Sequence, residues 1–318
     1  LPNACPARVR PSRRHRRVIN VDAGRRFRPE FASLDGPGPM SAAAGDAVTT
    51  RPDRLRPLRY LRRAPLLLLH IFIALPLALL VINPLGARIR VGGQRLDHWT
   101  TSWWSRWLLR CFGFRLRRFG TPAPGATLFV ANHVSWLDIE LLHSQAFMCF
   151  VAKAEISRWP LVGWLAGRAG TIYHQRGNGH SLATVMARVV ERLREGLPVG
   201  VFPEGGTGAG DRVRTFHARI FQVALDAGVP VQPVALRYGN GGRQDPAVAF
   251  APGEHFFGNF LRVLGGPGMD AEVHFCTPIP LDDEGRRRIA ERARSEICAA
   301  LGLTDVPARN GGAASADD

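Results

Sequence analysis

Lysine is nearly missing from these 318 residues: Lys153 stands alone beside 41 Arg. A bias of that size suggests a GC-rich coding sequence and makes the single lysine a residue to account for. Cysteine is sparse too, with Cys5, Cys111, Cys149, Cys276 and Cys298 scattered and no C-x-x-C pair or Cys/His ligand spacing. That pattern argues against a disulfide framework and a zinc site, and no metal or resident cofactor is expected. No glycine-rich loop ends in Gly-Lys-Ser/Thr, so a Walker-type nucleotide site is excluded. Neither Ser135 nor Ser181 sits in a G-x-S-x-G elbow, which makes both poor nucleophiles.

Acidic residues are outnumbered 26 to 42, for a net charge of +16. Such an excess points to an anionic partner, either nucleic acid or an anionic bilayer. Position separates the two, because residues 1–63 hold fifteen Arg against five acids. The basicity belongs to a leader rather than to a groove, and no nucleic-acid partner is expected. Residues 1–57, rich in Arg, Pro, Gly and Ala without an apolar period, read as a disordered leader. The first Met is Met40, and a start there would leave residues 1–39 untranslated. Residues 58–120 read as a membrane-anchoring helical region, 121–303 as the principal domain and 304–318 as a disordered tail.

The anchor rests on two segments. Leu66 to Ile82 is a 17-residue apolar run broken only by His70 and Pro76, at the short end of what spans a bilayer. Arg54, Arg56, Arg59, Arg62 and Arg63 precede it, and Arg88, Arg90 and Arg95 follow; the heavier positive end is expected in the cytosol. A re-entrant hairpin, with both flanks on one side, stays open. From Trp99 to Leu116 the spacing predicts an amphipathic helix. Trp99, Trp103, Trp107 and Cys111 lie on one face, with Ser102, Ser105, Arg106 and Arg110 opposite. Indole rings settle at headgroup level, so an interfacial helix is expected; an aromatic face packed on the domain is the alternative.

From Gly125 onward short apolar strands alternate with helical stretches. Strands are expected at 127–130, 148–152, 170–173, 199–202, 231–236 and 272–275. Helices are expected at 138–144, 161–168, 181–195, 216–227 and 284–300. The fold class is therefore α/β: a mixed sheet covered by helices on both faces, preceded by the membrane helix and the interfacial helix.

Two stretches carry chemistry. Asn132-His133-Val134-Ser135-Trp136-Leu137-Asp138 follows the strand Leu128-Phe129-Val130. On a continuous helix His133 and Asp138 would lie about 140° apart. They meet only if His133 sits in the turn ahead of the helix, where Asp138 can reach back and fix its tautomer. An imidazole held that way suits general-base work, although His and Asp also serve as plain turn and cap residues. The second stretch runs from a strand through Phe202-Pro203-Glu204 into Gly205-Gly206-Thr207-Gly208. It offers backbone N–H groups and one carboxylate, or is simply a flexible turn. Lys153 and Arg176 are expected after strand ends on the same side, where two cations suit an anionic substrate.

Together these pieces resemble the glycerolipid acyltransferases. Asn132–Asp138 resembles the family's NHxSxxD block, Gly170–Arg176 its second block, Phe202–Thr207 its FPEG block and Val229–Leu236 its fourth, in the family's order. The resemblance implies that 121–303 is an acyltransferase domain with catalytic His133 and Asp138. It implies substrate contacts from Asn132, Ser135, Lys153, Arg176, Phe202, Pro203, Glu204, Gly205, Gly206 and Thr207. The donor would be an acyl thioester of coenzyme A or acyl carrier protein, the acceptor a lysolipid, and the setting the cytosolic face of a bacterial inner membrane. The expected reaction is acylation of 1-acyl-glycerol-3-phosphate to phosphatidate. One departure bears on the head group: the arginine that usually follows the FPEG threonine is missing, with Arg212 and Arg214 a few residues on. Acylation of lyso-ornithine lipid, whose acceptor lacks a phosphate, is the rival within the family. A non-catalytic membrane-binding protein is the rival outside it.

Overall fold

Strand formation follows the apolar runs. β4 (Leu128–Ala131) and β7 (Val199–Val201) are buried at every position, and β8 (Val231–Gly239) at all but one. Strands covered on both faces carry near-continuous apolar sequence. They sit at the centre of a seven-stranded sheet of order β3-β9-β8-β4-β7-β5-β6. β5 is Cys149–Lys153, β6 Ile172–His174, β3 Phe114–Phe119 and β9 Met269–Phe275; β1 (Arg90–Val91) and β2 (Gln94–Arg95) form a separate antiparallel pair. Five neighbours from β8 to β6 run parallel, while β9 pairs antiparallel with β8 and parallel with β3. This computed structural model describes residues 53–158, 163, 167, 170–174, 179–281 and 285–304. Of the helix expected at 161–168 only 163 and 167 are described, both helical, while the leader up to 52 and the tail from 305 lie outside the described residues.

Pro233 stands in the middle of β8, where a missing N–H should break a ladder. It is tolerated because β9 stops at Phe275, and the next residue, Cys276, donates to the Pro233 carbonyl at 3.0 Å. The missing donor would have faced that terminated side.

Alternation along the strands divides the core in two. Phe129, Ala131, Val134, Leu236 and Tyr238 join one cluster, and Leu128, Val130, Val231 and Ala235 the other. The first face is covered by α3 (Leu96–Cys111) and α4 (Leu137–His143), the second by α5 (Gly179–Arg194), α6 (Gln222–Ala227) and α8 (Arg286–Leu301). A mixed sheet covered on both faces is thus observed. The elements not expected include α7 (Phe256–Gly265), the β1–β2 pair, and β3, which replaces the end of the supposed long tryptophan helix. Gly113, at φ +87°, turns the chain between α3 and β3, a conformation other residues resist.

The apolar run lies in a helix starting ten residues before it: α1 (Arg56–Leu69), a π-helical turn (His70–Ala74) and α2 (Leu75–Val81). Pro76 has no N–H to give, and across this stretch the ladder slips so that Leu75 bonds His70 instead. Arg56–Val81 is the one helix among the described residues long and apolar enough to cross a membrane. It is also docked. Arg63 donates to the Leu264 and Gly266 carbonyls at 2.8 Å each, Arg59 to Gly265 at 3.0 Å, and Tyr60 to Leu261 at 2.7 Å. The two arginines satisfy carbonyls left unpaired where α7 ends, so Arg59 and Arg63 are fold contacts rather than free flanking charges. Leu66, Phe72, Ile73, Leu77 and Leu80 remain exposed.

The faces of α3 also differ from expectation. Trp99 and Trp107 are exposed, but Ser105, assigned to the polar side, is buried and donates to Glu140 of α4 at 2.6 Å. Arg106 reaches the Ser144 carbonyl at 2.9 Å. The helix turns that polar edge to the domain because α4 supplies partners for it.

Candidate active site

Where β4 ends, the side chain of Asn132 continues its ladder. Its amide donates to the Leu236 carbonyl at 3.0 Å and accepts from the Leu236 N–H at 2.8 Å, as a strand residue would. The main chain is thereby released from the sheet, and His133 falls in the turn ahead of α4. Its Nδ1 lies 2.7 Å from Asp138 Oδ2, the geometry required for residues at this spacing. An ionised carboxylate only accepts, so Nδ1 carries the hydrogen and Nε2 keeps a lone pair. Nε2 has no partner among the described residues, and the His133 side chain is 18% exposed while Asp138 is sealed at 0%.

Asp138 is held on both oxygens. Oδ2 also accepts from the N–H groups of Val134 at 2.7 Å and Ser135 at 3.0 Å, and Oδ1 accepts from the Tyr238 hydroxyl at 2.7 Å. The carboxylate thus caps its own helix from inside the first turn. Ser135 is fully buried with its hydroxyl 3.5 Å from Leu137 N, at the outer limit of a bond. Burial and the adjacent Asp138 charge push the Tyr238 phenol well above its usual range, so it remains a donor.

The second stretch wraps the other side of the imidazole. Phe202 stacks on His133 with centroids 4.0 Å apart, and Phe150 stacks behind Phe202 at 5.9 Å. Phe150 fits because residue 200 is glycine: a β-carbon there would lie 2.5 Å from its ring. Glu204 is buried; Oε1 accepts from His133 N at 2.9 Å, and Oε2 from both the backbone and Nε of Arg214 at 3.1 Å. Arg214 also donates to the Gly206 carbonyl, and Gly208 N donates to the His133 carbonyl at 2.8 Å. Asn132 and Glu204 thus have their polar atoms committed inside the protein. Pro203 is buried, Phe202 and Gly206 are half-buried, and Gly205 and Thr207 face solvent. Lys153 is placed by its backbone as the last residue of β5, at the same sheet edge; Arg176 lies outside the described residues.

His133, Phe202, Lys153 and Tyr238 all gather at the carboxyl ends of parallel strands, where open α/β sheets bind their ligands. Tyr238 is the residue that sequence reasoning missed. Its only signal was position: one of three tyrosines, two residues beyond the fourth block, on the face of β8 that also carries Val234 and Leu236.

Comparison with known proteins bears on this arrangement. Residues 120–237 match the Acyltransferase family. The lyso-ornithine lipid O-acyltransferase of Pseudomonas aeruginosa is 38% identical over 222 residues, covering 70% of this chain and 84% of that protein. The 1-acyl-sn-glycerol-3-phosphate acyltransferase of Neisseria gonorrhoeae is 41% identical over 122 residues, 37% of this chain and 48% of that protein. The crystal structure of the 1-acyl-sn-glycerophosphate acyltransferase from Thermotoga maritima superposes with a TM-score of 0.55 at 19% identity, covering 78% of this chain and all of that one; this likeness speaks for the fold. The chain belongs to the acyltransferase family and is an acyltransferase of lipid metabolism.

Proposed function

We propose that the protein transfers an acyl chain from a thioester to the hydroxyl of a lyso-ornithine lipid at a bilayer surface. The observation that carries the chemistry is the His133–Asp138 pair, with Nε2 left without a partner among the described residues. His133 Nε2 takes the hydroxyl proton as the oxygen attacks the thioester carbonyl, and Asp138 stabilises the imidazolium that forms. The thiolate of the donor, coenzyme A or acyl carrier protein, leaves and recovers a proton. Gly205 N–H is given to the Phe202 carbonyl at 3.1 Å and Gly208 N–H to that of His133 at 2.8 Å, so the backbone at 206–207 serves the developing oxyanion.

Two facts support the ornithine head group over glycerol phosphate, which the motifs alone had put first. The lyso-ornithine relative matches over most of its length, whereas the Neisseria relative matches over about half. Arg214, one candidate to replace the missing phosphate-binding arginine, is held by Glu204 and the Gly206 carbonyl. Membrane docking is supported by the exposed apolar residues of α1 and α2, and by Trp99, Trp107, Phe257 and Leu261. With the active site on the cytosolic side of the inner membrane, the thioester reaches it from the cytosol.

The test supplies membranes holding the protein with a labelled acyl thioester and each lysolipid separately. Acylated ornithine lipid is expected, and His133→Ala should lower its formation by about 10²-fold or more. Label appearing in phosphatidate alone would return the acceptor to 1-acyl-glycerol-3-phosphate. Full turnover by His133→Ala would instead remove the general base.

A further inference from the structure

We infer that Tyr238 is a positioning residue for proton abstraction, setting the orientation and basicity of His133 through the far oxygen of Asp138. The inference rests on His133 acting as the base. Nothing in the four sequence blocks contains Tyr238, and the matched family segment ends one residue before it.

Asp138 has no solvent exposure, so each oxygen depends on protein donors. Oδ2 has three: His133 Nδ1 and the N–H groups of Val134 and Ser135. Oδ1 has one among the described residues, the Tyr238 hydroxyl. Bonds on both oxygens fix the plane of the carboxylate, and with it the direction in which His133 is held.

The same hydroxyl governs charge. A donor on Oδ1 draws electron density away from Oδ2 and weakens the pull of Asp138 on an imidazolium. The donor therefore moderates how strongly Asp138 holds an imidazolium formed at His133 as the proton is taken. Among the described side chains, the other charges close to His133 are Glu204, which accepts from its N–H, and Arg214, paired with Glu204. Those two are paired with each other, whereas Asp138 bonds the imidazole itself.

Tyr238 is itself rigidly placed. It is fully buried, its ring meets Phe114 edge-on with centroids 5.7 Å apart, and its N–H donates to Gln244 Oε1 at 3.1 Å. Its carbonyl accepts from Asp245 N at 2.6 Å. The hydroxyl is delivered by a closed turn and cannot drift off its partner.

Tyr238→Phe in the full-length membrane enzyme removes the donor and keeps the ring. Maximal turnover is expected to fall about tenfold. The acid limb of the rate–pH profile should move up by about half a unit. Incorporating a fluorotyrosine at 238, a stronger donor that preserves the fold, should move the limb the opposite way. A purely structural role would lower the folded fraction without moving either limb. An unmoved limb in the fluorotyrosine enzyme overturns the inference, as does wild-type turnover with an unmoved limb in Tyr238→Phe. His133→Ala, measured alongside, separates this from failure of the underlying reading: if it is active, the general base is wrong, whatever Tyr238 does.

Discussion

Replacing Arg63 with methionine would ask how firmly the long apolar helix is fastened to the catalytic domain. Arg63 is only 3% exposed, and its Nη1 spans the Leu264 and Gly266 carbonyls. Methionine retains most of the apolar stem but orphans both carbonyls, at about 1–3 kcal/mol each. Part of that is offset, because the guanidinium is desolvated and its Nε has no partner. The net loss is about 3 kcal/mol. At about 2–4 °C per kcal/mol for a domain of this size, the melting temperature should drop by about 6–12 °C. Thermal unfolding of the detergent-solubilised protein, followed by tryptophan fluorescence, reads the shift, and limited proteolysis reports whether α1 detaches. Gly113→Ala gives an independent check. A β-carbon at 113 would come within 2.0 Å of Arg63 Nη2, on a backbone with φ of +87°, so it should expel the same guanidinium. If Arg63→Met melts within about 2 °C of the parent and α1 stays protected, the clamp contributes nothing and the reasoning is wrong.

Two further perturbations probe the site and its support. Gly200→Ala places a methyl against the Phe150 ring and 2.9 Å from Met148 Sδ; a cost of about 1–3 kcal/mol is expected, with reduced turnover as Phe202 shifts off His133, and unchanged stability and rate would count against the stacked support. Arg262, bonded to Glu254, holds that carboxyl down to about 2. Because the folded value lies below the unfolded one, this contribution is complete above the ordinary glutamate range and drains away as pH falls toward 2. Trp136, whose Nε1 donates to Asn259 of α7, should report that loss by fluorescence. A Glu254→Gln protein that shows the same acid transition would rule out Glu254 as its source.

Legibility followed sequence distance. The central strands were placed within a few residues because buried parallel strands are written as apolar runs ending in turns. β4, expected at 127–130, is found at Leu128–Ala131, and β7, expected at 199–202, at Val199–Val201. β3 was hidden because Phe-Arg-Leu-Arg-Arg-Phe is apolar only at alternate places and becomes a strand by pairing with β9. α7 was missed although its cation partners Arg59 and Arg63 were noticed, since those arginines stood beside the apolar run and were read as flanking charge. The tryptophan helix was located, but which edge faces inward depended on Glu140 and Ser144, residues no local period can foretell.

The sequence by itself determined the His133–Asp138 geometry, the positions of the central strands that carry the motifs and the α/β class. These depend on neighbours a few residues apart, where periodicity and turn chemistry act. Tertiary structure alone decided that Asn132 completes a ladder, that Glu204 holds a turn and an arginine, and that Tyr238 reaches Asp138 across 100 residues. A buried polar atom must find its partner wherever the packed chain brings one, and burial is settled by the whole fold rather than by any local stretch.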